Sequence, residues 1–361
     1  MAVFDPNSIQ SDAIRERYER ALKRGRAMAG AMHAAFGPER APVRMCFVDE
    51  EVFNAYAGRD DDGYLIELAK PIPLFLALLF ERLLADPRLF PWLDAEGAKV
   101  SDYQVPFVFD PINFSRREVW SISLTEERSF AADFLADLSV AFIQLHELGH
   151  IMSGHVERHQ LVTGRGHMAE LLSSPPPSRS ERERERAWEA DADAVAASFL
   201  AQYVGELIDQ TKVHPVAARV FGRQEQTVEH VLAIAAIALF AMFAYVRGAR
   251  YSLGKRSGHP HPFIRAHYVK DMLITAAQRQ FPIDLEVLGA LMDERLNEVL
   301  IALEGVGLSD NRKYDDAYMD GIDRELEHII AIRAKHRASC AAFSWFPWTQ
   351  DANELGEPLS S

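Results

Sequence analysis

Apolar residues recur at three- and four-residue spacing along most of this chain, and the pattern shortens to alternating or continuous apolar runs in one early stretch. That predicts a mainly helical protein with a small sheet near its start. From Ser11 to about Phe36 the apolar positions keep helical spacing among Arg, Glu and Ala, and Gly37-Pro38 ends the helix. Val43–Val48 and Tyr64–Leu68 are short, partly β-branched runs, with Asn54-Ala55-Tyr56-Ala57 between them and a turn-rich Gly58–Gly63 after it. A small antiparallel sheet is the expectation. Pro73–Leu84 (PLFLALLFERLL) predicts a buried helix, and 87–120 a loop with one or two strands, such as Val105–Phe109.

The strongest helical signal begins at Thr125, an N-cap followed by Glu126 and Glu127, where acids favour the positive end of the helix dipole. Phe134, Leu135, Leu138, Phe142 and Leu145 mark it as a core helix, expected to run to about Arg158. Gly164, Gly166 and Pro175-Pro176-Pro177 then predict a mobile loop over 162–180. Ser180 is the expected cap of the next helix, charged at first and Ala-rich through Leu200. Further helices are expected at 216–223, 227–247, 264–279, 284–305 and 314–338, followed by a tail.

One segment raises a second possibility. From Val231 to Val246 the chain carries no charged residue. At about 1.5 Å per residue this run covers roughly 24 Å, short of the roughly 30 Å hydrocarbon core of a bilayer. Its many alanines favour close helix packing, so a buried central helix is expected, with a membrane-embedded segment as the alternative. Composition narrows the classes further. The 361 residues hold 53 acidic and 39 basic side chains, a net charge of −14, without the basic cluster that phosphate backbones require, so no nucleic-acid partner is expected. Cys46 and Cys340 are too few and too distant for a disulfide framework or a CxxC metal site, and the N-terminus has no apolar leader. A cytoplasmic setting is the expectation.

The informative motif is His146-Glu147-Leu148-Gly149-His150, an HExxH within the core helix. Residues i and i+4 share one helix face, so His146 and His150 can aim two imidazole nitrogens at one metal while Glu147 points at a water activated there. Zinc at such a site takes a third protein ligand and keeps one position open. A third His in the same run would stand at position 156, which is Val156. His155 and His159 do not replace it; His155, on a continuous helix, would face about 180° away from His146. Downstream, Glu189 lies in the string WEADADA, with Glu185 one turn earlier as the rival ligand. Asp193 follows Glu189 by one turn and could accept the second ring N–H of a ligand His, and the surrounding alanines would let this helix approach the first closely. A third element, Gly258-His259-Pro260-His261-Pro262-Phe263-Ile264-Arg265, could present His259 and Arg265 to the oxyanion of an attacked carbonyl. The plain alternative is a helix-start loop with Arg265 in an ion pair.

In this order HELGHIMSGH, EADAD, an Ala-rich apolar helix and HPHPFIR resemble the bacterial Lit-type peptidases of phage exclusion. More distantly, with Asn54-Ala55-Tyr56-Ala57 as the matching strand, the chain is similar to the HtpX-type gluzincin metallopeptidases. The resemblance spans about 43–270 and rests on three short motifs. It implies a mainly α fold with a small antiparallel sheet (α+β), of zincin-like gluzincin architecture with the HExxH helix central. It implies zinc bound by His146, His150 and Glu189, catalysis by Glu147, and a substrate-aligning strand at Asn54, Ala55 and Tyr56. The expected activity is zinc-dependent cleavage of a protein or peptide substrate, in the setting of phage exclusion. The competing expectations are a zinc-binding sensor without activity and a membrane-associated peptidase. The expected organisation is an N-terminal helical segment over 1–40, a metallopeptidase domain over 41–310, a C-terminal helix over 311–340 and a tail over 341–361.

Overall fold

The computed structural model describes residues 2–93, 123–169, 178–222, 224–247, 262–308 and 316–346. The expected strand at Val105–Phe109 and the residues His259 and His261 lie outside them. The described chain is mainly helical with one five-stranded sheet.

The sheet comprises β1 (Val3–Phe4), β2 (Val43–Val48), β3 (Ala55–Asp60), β4 (Gly63–Ala69) and β5 (His167–Ala169), in spatial order β1-β2-β4-β3-β5. It is mixed, which corrects the antiparallel expectation. β3 and β4 form a hairpin with Asp60 opposite Gly63, but β4 then returns between β3 and β2 and pairs with β2 in parallel, Val43 opposite Tyr64 and Val48 opposite Ala69. Runs of alternating residues identify strands, and nothing in them identifies neighbours; the hydrophobic faces decide that when the sheet is covered. Gly63 makes the hairpin possible, with φ of 130° and the Pro42 carbonyl 2.6 Å from where a Cβ would stand.

Among the described residues there are ten α-helices, numbered in chain order. They are α1 (Asp12–Phe36), α2 (Pro71–Leu84), α3 (Glu126–Met152), α4 (His155–Thr163), α5 (Arg179–Thr211), α6 (Pro215–Phe221), α7 (Thr227–Arg247), α8 (Pro262–Ala277), α9 (Leu285–Gly305) and α10 (Asp316–Arg337). Thr125 caps α3 as expected, its Oγ1 accepting the Arg128 N–H at 3.4 Å. The cap of α5 is Ser178, two residues before the expected Ser180, because Glu181 at the third helical position reaches back to the Ser178 N–H and closes a capping box.

Two boundaries depart from expectation in ways that matter to the site. The helix that starts at Thr125 does not reach Arg158. It ends at Met152, and Gly154 takes a left-handed φ of 76° that turns the chain into α4. Nor is 341–346 a free tail. Trp345 is buried, its N–H donates to the Met152 carbonyl at 2.8 Å, and Ser344 Oγ donates to the same carbonyl at 3.2 Å, so this segment caps the end of α3. The stretch read as a loop after Val162 holds β5, which adds to the free side of β3.

α3 is the central element. It packs against α1, α2, α5 and α7, and its length from Ala131 to Met152 is almost wholly buried. α7 meets the length and hydropathy expected of a membrane span, yet from Val231 to Val246 no residue is more than 9% exposed, and its neighbours are other helices of the same chain.

Candidate metal centre

α3 and α5 cross closely because both are small where they meet. A Cβ on Gly149 would stand 2.9 Å from the Ala192 Cα and carbonyl oxygen and 3.2 Å from Val195 Cβ. This apposition, expected from the alanines around Glu189, brings the two motif segments together. His146 and His150 stack one turn apart on α3 with Nε2 atoms 3.1 Å apart. Glu189 on α5 faces both, its Oε2 3.5 Å from His146 Nε2 and its Oε1 3.5 Å from His150 Nε2. Glu185, the rival, is not part of this group, which can hold a metal ion through His146, His150 and Glu189.

Ligand atoms about 2.0–2.2 Å from a tetrahedral centre stand about 3.3–3.6 Å from one another; here the two ring nitrogens are 3.1 Å apart, each lies 3.5 Å from a different oxygen of Glu189, and one atom from each residue falls within 4.8 Å of the others, close enough to share one ion. Two imidazole nitrogens and one carboxylate also suit a divalent cation chemically. Burial makes the match more telling, because no residue of the site, His146, Glu147, His150, Glu189, Asp193 or Arg265, is more than 5% exposed, and buried polar groups need partners.

Around the ligands lie two sets of supporting groups. On the first, His146 Nδ1 is 2.9 Å from Asp193 Oδ1, the partner expected from the one-turn spacing of Glu189 and Asp193. Arg265, which opens α8, grips Asp193 with two parallel bonds of 2.9 and 2.8 Å, lies 3.7 Å from Glu189 Oε2, and rests over the Phe243 ring at 4.9 Å. Arg265 therefore faces the carboxylates of the centre. Its predicted contact with a substrate oxyanion is not what these partners show. Phe243 belongs to α7, so the apolar helix supplies part of the wall of the site.

The second set was not foreseen. His155 lies 3.0 Å through its Nδ1 from His150 Nδ1, with its Nε2 3.8 Å from Asp191 Oδ2. It was expected to face away, as it would on a continuous helix. The turn at Gly154 removes that premise and swings the ring back toward His150, where it stacks on Trp188 at 5.2 Å between centroids. Asp191 in turn accepts from Arg333 Nε and from Arg337 Nε, the latter at 2.9 Å, both on α10, and Arg333 also donates to the Tyr268 hydroxyl. The one sequence signal for this set was the Ser153-Gly154 pair, a helix stop inside a periodic pattern.

Electrostatics separates the two histidines. Burial opposes a charge on His146, but its hydrogen bonds to Asp193 and Glu189 outweigh that and raise its pKa well above the usual value. Burial pushes His150 down to about 4, with Glu189 opposing and His146 reinforcing the shift. Burial likewise lowers His155, so this ring is neutral. For Asp193 and Asp191 burial favours the neutral acid, yet Arg265 on the one and Arg333 on the other hold both below the ordinary carboxylate range.

The Asn54 segment is placed differently from expectation. Asn54 is buried at the head of β3, its Oδ1 accepting the Ala55 N–H at 3.0 Å and its carbonyl the Ala69 N–H at 2.9 Å. Tyr56 points its hydroxyl at Glu50 Oε2, 2.6 Å away. The strand is not an open edge between Tyr56 and Gly58, because β5 pairs there, with Tyr56 opposite Ala169 and Gly58 opposite His167, and the Arg59 N–H donates to Gly166 at 2.9 Å. Comparison of the chain with protein-family models, curated proteins and solved structures gives no match.

Proposed function

We propose that this chain is a zinc-dependent metallopeptidase of gluzincin type, with zinc on His146, His150 and Glu189, Glu147 as general base, and a protein or peptide as substrate. Its frame is read as zincin-like with α3 as the central helix, and its setting as the cytoplasm. Phage exclusion is the role that the Lit-type motifs add to the proposal. The observation that carries the reading is the convergence of His146, His150 and Glu189 from two helices, with 3.1 Å between the ring nitrogens and 3.5 Å from each to one of the two carboxylate oxygens, beside the glutamate of an HExxH.

When bound, zinc would polarise the scissile carbonyl and lower the pKa of water at the site. The remaining work belongs to this chain. Glu147, next to His146 on α3, accepts the proton of the attacking water and delivers it to the departing amine. Asp193 keeps His146 in the tautomer whose Nε2 is free, and Arg265 neutralises the charge that Asp193 and Glu189 bring into a buried space. Replacing Glu147 by Gln should leave about one zinc per chain while abolishing chelator-sensitive cleavage of an unfolded protein such as casein. Wild-type activity in E147Q would sink the assignment of the base, and less than about one zinc per three wild-type chains in metal-replete buffer would sink the site.

One observation favours a second reading. Every polar group of the centre is buried, as in a metal site that is closed and structural, and this suits a zinc-binding sensor. Zinc-loaded protein that never cleaves an unfolded substrate would select it.

A further inference from the structure

We propose that His155 and Asp191 are the positioning pair for His150, fixing which of its nitrogens faces the metal. The inference rests on the metal-centre reading of His146, His150 and Glu189 and is independent of whether that centre is catalytic.

A histidine that ligates through Nε2 must carry its proton on Nδ1, and in a buried site that N–H needs an acceptor. For His146 the acceptor is the Asp193 carboxylate, itself held by Arg265. Among the described residues no carboxylate stands at the His150 Nδ1; the atom found there is Nδ1 of His155 at 3.0 Å. Two facing ring nitrogens make one hydrogen bond, so one donates and the other accepts. With His150 as donor, His155 must hold its own proton on Nε2. That is the nitrogen turned to Asp191, 3.8 Å from Oδ2, where a carboxylate favours an N–H. Stacking on Trp188 at 17° between ring planes keeps His155 in this orientation.

Asp191 is anchored in the same manner as its counterpart Asp193, by arginine. Arg333 and Arg337 of α10 reach it from one side and His155 from the other, all in buried surroundings. The two ligand histidines are thus supported by parallel chains: Arg265–Asp193–His146, and Arg333 with Arg337, then Asp191, His155 and His150. The first acceptor is an anion. The second is a neutral ring oriented by an anion, and it draws the C-terminal helix into the surroundings of the metal.

The test measures zinc affinity by competition with a chromophoric chelator, together with urea stability, in wild type, H155L, H155Q and D191N. Removing the acceptor in H155L should weaken zinc about 10–100-fold, the range found when a group orienting a metal-bound His is lost. H155Q offers an amide oxygen in its place and should recover to within about threefold of wild type, and D191N should lose about tenfold. A purely structural cluster would instead lower stability in all three and leave zinc affinity within about twofold, which overturns the proposal. Should H155L fail to fold, the unmodified zinc-loaded protein decides through long-range ¹⁵N–¹H correlation of its imidazoles. His155 protonated at Nε2 and His150 at Nδ1 support the pair, and His155 protonated at Nδ1 overturns it. Wild-type protein that binds no zinc overturns this proposal and the metal-centre reading together, whereas wild type that binds and H155L that binds equally well overturns only the proposal.

Discussion

Substituting Gly149 by Ala tests whether the metal centre depends on the close crossing of α3 and α5. In an isolated helix the change would stabilise by about 1 kcal/mol, since glycine is the poorer helix former. Here the new methyl would sit 2.9 Å from both Ala192 Cα and the Ala192 carbonyl oxygen. These are backbone atoms of a neighbouring helix, so no side-chain rotation relieves the overlap. Reaching ordinary contact of about 3.5 Å requires the helices to part by roughly half an ångström. Overpacking of this kind typically costs about 1–3 kcal/mol, enough to cancel or reverse the propensity gain. The displacement also falls one residue before His150 and three after Glu189, where ligand placement tolerates only about 0.2 Å. Zinc affinity in G149A should therefore fall by at least about tenfold, with urea stability lowered or unchanged. Chelator competition and urea titration read the two effects separately. A variant that is about 1 kcal/mol more stable and binds zinc like wild type would refute the crossing as the device that assembles the site.

The choice between the two downstream glutamates can be tested directly. E189Q should weaken zinc by more than about 100-fold, beyond the range of supporting groups, whereas E185Q should leave affinity within about twofold in the same competition assay. Stability should also depend on pH through Glu81, where burial raises the pKa to about 7 despite Arg17 at 3.0 Å. Because the folded value lies above the unfolded value of 4.5, this group's contribution is full below pH 4.5 and is lost as pH rises through 7. E81Q removes the dependence, so its urea stability relative to wild type should improve by about 2 kcal/mol between pH 5 and pH 8. A flat difference would show that Glu81 titrates near its ordinary value.

Much of the site was readable because helical periodicity converts sequence spacing directly into angle. His146 and His150 at i and i+4, and Glu189 and Asp193 at i and i+4, each had to share a face, and the alanines around Glu189 announced a close neighbour. What could not be read was anything that depended on a chain reversal or on a partner chosen at long range. A helix continued through Gly154 would turn His155 away from His150, and a single left-handed residue reverses that. Arg265 was visible as an arginine beside the site, but its commitment to Asp193 depends on where α8 packs. The tail lies beyond the periodic pattern, and Trp345 is nevertheless folded onto the end of α3.

By itself, then, the sequence determined the local states: which segments are helices, which face of each is apolar, and which pairs of side chains project together. Those follow from short-range backbone geometry and need no partner. The tertiary structure decided the neighbours, because burying apolar faces is non-directional and many arrangements satisfy it. It set β4 between β2 and β3, laid β5 along β3, turned α7 inward among its own helices, and joined Asp191 on α5 to the arginines of α10 and, through His155, to His150. The pairings within one helix, His146 with His150 and Glu189 with Asp193, come from local rules, and the meeting of the two pairs comes from the packing.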